Sequence, residues 1–179
     1  LERIEAPGLL GPGGARMDAP AHAQSIVLPF VEYADGSILA QLGAPDMRTP
    51  IQVAVSWPMR GDGCSKRLDL RSMSRLDFEP VDTARFPSVN AAFEVIEAAA
   101  RPDGATAGAV FNAANEAAVE AFLAGEIPFG RITALSRAAM DEVGLGTMRT
   151  LEDAMEADRE ARRFVRARIG ERGPARAAR

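Results

Sequence analysis

Glu2 and Glu5 lie three residues apart, so on a helix their carboxylates share one face and could approach a single metal ion. Hard divalent cations such as Mg or Mn take oxygen ligands of this kind. Two glutamates at that spacing are more often a solvated helix face. His22 is the only histidine. Imidazole is the side chain that ordinarily titrates near neutrality, yet a single one is more often structural than catalytic. Triads of the Ser-His-Asp or Cys-His kind cannot be argued from spacing, because their order along a chain varies. Gly11-Pro12-Gly13-Gly14 has the composition of a phosphate loop. Prolines flank it, no strand signal precedes it and no Gly-Lys-Ser/Thr follows, so a plain loop is expected. Residue types and spacing alone reach only an α+β protein with a helical bundle.

The chain has 179 residues and a formal net charge of −4. Phosphate binding needs a surplus of Lys and Arg, so nucleic acid is not expected as a partner. Residues 172–179 are basic, poor in large apolar side chains, and expected to be a disordered tail. No apolar run reaches the length of a membrane span, and the start has neither a basic region nor an apolar signal segment. The chain lacks an initiator Met, which suggests a fragment. Cys64 is the one cysteine, so no internal disulfide can form and a cytoplasmic location is expected.

Leu1 to Ala6 could end a helix. Ser25–Tyr33 and Ser37–Leu42 read as a β-hairpin joined by a tight primed turn at Asp35-Gly36, with Pro29 marking an edge or a bulge. Thr49 is a candidate N-cap with Pro50 at the first helical position, although Ile51, Val53, Val55 and Trp57 also alternate as a strand would. Leu68–Phe78 offers one or two short strands. From Phe86 the period becomes helical. The first helix opens at Pro87 with Val89, Ala92, Phe93 and Ile96 inward. The second includes Asn112–Ala124 with Ala114, Ala118, Val119 and Phe122 inward, and Gly125 ends it. The third carries Ile132, Leu135, Ala139 and Val143, closed by Gly144. The fourth opens at Thr150 with Asp153 completing a capping box, and Leu151, Met155, Val165 and Ile169 inward. Short links make an antiparallel four-helix bundle the expected packing.

Longer matches carry more. Leu1-Glu2-Arg3-Ile4-Glu5-Ala6, His22-Ala23-Gln24-Ser25, Asp35-Gly36-Ser37-Ile38-Leu39-Ala40-Gln41-Leu42-Gly43 and Pro45-Asp46-Met47-Arg48-Thr49-Pro50-Ile51 occur in that order. Trp57-Pro58, Leu68-Asp69, Phe86-Pro87 and Asn112-Ala113-Ala114-Asn115-Glu116 follow. In these segments the chain resembles the carboxyl-terminal part of the 1-deoxy-D-xylulose-5-phosphate reductoisomerase family, from residue 1 to about residue 170.

The resemblance implies an α+β fold with no Rossmann domain. Residues 1–85 would be part of a mixed catalytic and dimerising domain, and residues 86–171 a terminal four-helix domain. It implies a metal-dependent NADPH oxidoreductase that converts 1-deoxy-D-xylulose 5-phosphate to 2-C-methyl-D-erythritol 4-phosphate in non-mevalonate isoprenoid biosynthesis, with Mg or Mn as the metal and a homodimer as the assembly. By position, Glu2 matches a metal-ligating carboxylate and Glu5 an acidic neighbour. Pro45 and Met47 match the apolar loop near substrate and nicotinamide. Asp46 and Arg48 match loop-shaping residues, and His22 lies near the site. The nucleotide domain, the other metal carboxylates and the Asn-Lys pair near the substrate phosphate are not in this sequence. The chain alone is therefore expected to bind neither NADPH nor metal well and to be inactive. Ala23, Leu28 and Pro29 replace Pro, His and Ser of the family pattern. These departures leave room for a degenerate structural or dimerising module, or for a small-molecule binding module on the same fold.

Overall fold

Val, Leu and Phe in Val27–Glu32 and the alternation in Ile38–Leu42 produce two antiparallel strands, β1 and β2 respectively. This computed structural model describes residues 2–10 and 17–170, with backbone only for 2 and 8–10. The chain forms two compact units: Leu1–Asp18 with Asp82–Arg179, and Ala19–Val81. The first residues thus group with the helices, where the sequence suggested a division near residue 85. The Gly11–Gly14 stretch, the tail 172–179 and the Glu2 side chain lie outside the described residues.

In the 19–81 unit, Phe30, Val31 and Glu32 pair with Ala40, Leu39 and Ile38, and the register slips between Val27 and Phe30. Pro29 sits in that slip, as its missing N–H requires. The turn differs from the primed type expected. Gly36 is left-handed (φ +83°), whereas Ser25 is the only non-glycine residue with positive φ among the described residues. Gly36 N–H donates to the Tyr33 carbonyl and Tyr33 N–H to the Ser37 carbonyl, each at 2.9 Å. This is a three-residue connection with a glycine bulge, which spares Asp35 an unfavourable φ.

A helix, α2, covers Arg48–Ser56, so the strand alternative for Ile51–Trp57 fails. Met47, not Thr49, is its N-cap residue, and Pro50 is third in the helix. The first helical bond runs from Ile51 N–H to the Met47 carbonyl at 3.1 Å, so Pro50 still lacks only a bond no helix would use. The expected strands in Leu68–Phe78 do not form. Only an isolated bridge joins Ala21 to Glu79. Side chains take the backbone groups that a ladder would need: Asp69 accepts Arg71 N–H and Gln24 accepts Asp77 N–H.

The helical unit contains α1 (Glu2–Leu10), α3 (Pro87–Ala99), α4 (Ala107–Leu123), α5 (Arg131–Glu142) and α6 (Leu151–Gly170). Its core is built mainly from alanine. Ala113, Ala114, Ala117, Ala118 and Ala121 line α4, and Ala157, Ala161 and Val165 form the facing stripe of α6. Small side chains let the helices approach closely. That explains why Leu151 and Met155 are exposed (77% and 47%) rather than inward as expected. It also explains the inward face of α3, which is Ala91, Ala92, Val95 and Ala98, with Val89, Phe93 and Ile96 only half-buried. Gly104 is required: a Cβ there would lie 2.0 Å from the Ala98 carbonyl oxygen. Thr106 and Gly146 exchange two hydrogen bonds, so the start of α4 lies by the end of α5 and these helices are antiparallel. Helices α4 and α6 instead run parallel. Asn112 shares a cavity with Met155 and Asp158, while Ala121 shares another with Arg166 and Ile169. The expected capping box is present: Thr150 N–H donates to the Asp153 carboxylate at 2.8 Å, and Asp153 N–H to Thr150 Oγ1 at 3.3 Å. No described helix is long and apolar enough to cross a membrane.

Candidate functional site

The hairpin delivers the chain into a short loop at Gly43, whose N–H donates to the Ile26 carbonyl at 2.9 Å. Ala44, Pro45, Asp46 and Met47 follow, and α2 begins. Asp46 organises this loop. Its carboxylate accepts the Arg48 N–H at 3.0 Å, Arg48 Nε at 2.9 and 3.0 Å, and Arg48 Nη2 at 2.5 Å. The Arg48 guanidinium holds the Asp46 carboxyl well below the usual carboxylate range, chiefly through these hydrogen bonds. Such a two-pronged grip fixes the guanidinium plane as well as its distance. Met47 lies inside this locked segment, yet its side chain is 71% exposed. On the other side of α2, Thr49 Oγ1 donates to Ser65 Oγ and Gln52 Nε2 to the Asp62 carbonyl, which ties down the polar 59–67 loop.

Beside Pro45 opens a cavity of about 760 Å³ lined by Gln24, Ala44, Pro45, Arg67, Met73 and Asp77, among others. His22 does not reach into it as a free acid–base group. Its Nε2 receives the Ile26 N–H at 3.2 Å, and its Nδ1 lies 2.7 Å from the Asp77 carbonyl oxygen. Both ring nitrogens are thus committed to backbone. Gln24 was not singled out from the sequence, yet it clamps the same segment: its Nε2 donates to Asp77 Oδ2 at 2.8 Å. Its partner lies 53 residues away, so no local spacing could have shown it.

Helix α1 belongs to the other unit. Glu5 on it is exposed. Arg3, to which no local spacing points, lies with its guanidinium carbon 3.6 Å from the centre of the Phe93 ring, and its Nη2 donates to the Met17 carbonyl at 2.6 Å. Burial lowers its pKa, and the Asp18 charge opposes that. Among the described residues no group of three or more His, Cys, Asp or Glu could hold a metal. The carboxylate oxygens of α1 are the right donors for a hard cation but too few, so the residues described do not make a metal centre by themselves. The Asn112-Glu116 motif forms a structural clamp. Asn112 Nδ2 donates to Glu116 Oε1 at 3.2 Å, and Arg162 of α6 donates to both Glu116 and Asp158.

Residues 42–164 match the family model "DXP reductoisomerase C-terminal domain". The 1-deoxy-D-xylulose 5-phosphate reductoisomerase of Cupriavidus taiwanensis is 46% identical over 176 residues, covering 98% of this chain and 44% of the relative. That of Xanthomonas oryzae pv. oryzae is 46% identical over 165 residues, covering 92% of this chain and 40% of the relative. Among solved structures, the Zymomonas mobilis reductoisomerase in complex with NADPH superposes with a TM-score of 0.83 at 39% identity, over 94% of this chain and 43% of that one. A reductoisomerase in complex with NADPH, fosmidomycin and magnesium gives a TM-score of 0.79 at 34% identity, over 94% and 42% respectively. The chain therefore spans less than half the length of these relatives. With more than half of its residues inside the matched domain, the chain belongs to the DXP reductoisomerase C-terminal domain family.

Proposed function

We propose that this chain supplies the carboxyl-terminal part of a working 1-deoxy-D-xylulose 5-phosphate reductoisomerase, an NADPH-dependent enzyme acting on a phosphosugar. The observation that carries this reading is the Asp46–Arg48 lock around an outward-facing Met47. A thioether on a rigid loop can pack on a flat ring without rearranging, so Pro45 and Met47 would form one wall for the nicotinamide and the substrate carbon. NADPH would supply the hydride. The loop's part is to hold the ring in place and keep water from it. Glu2 and Glu5 would contribute oxygen ligands to a Mg or Mn site completed by carboxylates beyond the described residues, and no step is derived through that metal. A cytoplasmic location goes with this reading.

A chimera provides the test. Residues 1–170 replace the corresponding segment of the Zymomonas mobilis enzyme, and NADPH oxidation is followed with 1-deoxy-D-xylulose 5-phosphate. Turnover is expected, and Glu2→Gln is expected to abolish it. A folded chimera that binds NADPH but never turns over would refute the reading.

A dimerising role has its own support. Leu28, Phe30 and Val31 on β1, Tyr33 just beyond it, and Ile38 and Leu39 on β2 are exposed, on a sheet of two strands among the described residues. A lone hairpin is marginal in water, and these apolar positions suit further strands or a second copy. Sedimentation of the chimera should give a homodimer, and a monomer at micromolar concentration would exclude this role.

A further inference from the structure

At 100° per residue, positions 3 and 4 of α1 lie opposite positions 2 and 5. The structure uses that division. Ile4 packs against the cluster of Ala91, Val95, Ala98, Ala107 and Phe111. Gly108 lies beside it, where even an added Cβ would be in ordinary contact, 3.9 Å from Ile4 Cγ2. Arg3 lies over the Phe93 ring and donates to the Met17 carbonyl. Its Nε and Nη1 are buried with no hydrogen-bond partner among the described residues. A guanidinium stripped of water on two nitrogens persists only where its remaining contacts repay the loss, and the face of an aromatic ring is one of the few surfaces that can. The opposite face, with Glu5, stays exposed.

We propose that Arg3 and Phe93 are positioning residues: their cation–ring contact seats α1 on the helical unit and so sets the direction in which its carboxylate face points. The four-helix unit then acts as the mount for a catalytic helix. The consequence for catalysis rests on the function proposed above, whereas the seat does not.

Hydrogen exchange on the full 179-residue chain tests the seat. Phe93→Leu and Arg3→Met should each cost α1 amides about tenfold in protection while α4 amides keep theirs. Phe93→Tyr, which retains the ring face, should restore protection. Unchanged α1 protection in Arg3→Met, or a tyrosine variant as damaged as the leucine one, would overturn the proposal. Arg3→Met leaves the core intact and so keeps the test valid if Phe93→Leu fails to fold. In the chimera, Arg3→Met should lower kcat about tenfold with the KM for NADPH unchanged. An unaltered kcat alongside a loosened α1 would remove the catalytic consequence. An inactive parent chimera would instead count against the proposed function and leave the exchange result standing.

Discussion

The His22 imidazole lies flat on the Phe78 ring, with centroids 4.5 Å apart and planes 17° from parallel. The stack fixes the plane of the ring, and the two ring-nitrogen bonds fix its tautomer. Ile26 N–H can only donate, so Nε2 must be the bare nitrogen; Nδ1 carries the proton and donates to the Asp77 carbonyl. Nitrogen-15 NMR of the neutral ring should show a protonated Nδ1 and an unprotonated Nε2. The chain has one histidine, so the assignment is unambiguous. Finding the proton on Nε2 would break the described contact with Ile26.

The Asp46–Arg48 pair predicts a pH response. The folded-state pKa of Asp46 is depressed, so the contribution of the grip is complete above the unfolded aspartate value of about 3.9 and is lost as pH falls through the lower folded value. Carboxyl carbon-13 NMR should give Asp46 a midpoint below that of an aspartate in the unfolded chain. Asp46→Asn should speed tryptic cleavage after Arg48 at neutral pH. Equal cleavage rates would mean that the loop is held by something else.

Met47 should matter for cofactor more than for folding. In the chimera, Met47→Ala is expected to raise the KM for NADPH about tenfold, because the lost contact serves binding of the ring. The exposed side chain has little packing to lose, so thermal stability should stay within about 0.5 kcal/mol of the parent. A large loss of stability with unchanged KM would assign Met47 to the core instead.

The legible parts of this chain were those with short-range signals. Gly125 and Gly144 end their helices in the left-handed conformation, and Thr150 with Asp153 caps α6, all within four residues. Pro29 marked the register slip because a missing donor is a property of one residue. The clamp on residues 75–79 was not legible. His22 and Gln24 find their partners 55 and 53 residues away, and those long-range side-chain bonds displaced the strands that local propensity suggested. Helix faces escape the local pattern for a related reason. A hydrophobic scale puts Leu151 and Met155 inward, but an alanine-lined α4 selects the small residues of α6.

That last point yields the sharpest stability contrast. Ala114 is fully buried on α4, where α5 and α6 meet it closely, whereas Leu151 is 77% exposed. Ala114→Leu adds three carbons, an isopropyl-sized volume, at a fully buried position, so it should destabilise the helical unit by roughly 1–3 kcal/mol. Leu151→Ala removes a larger side chain from open surface and should change stability by no more than about 0.5 kcal/mol. A scale of hydrophobicity alone predicts the reverse order. Urea midpoints for the two variants, at unchanged slope, decide between them: a Leu151→Ala loss exceeding that of Ala114→Leu would show that the core follows the large residues rather than the alanine seam.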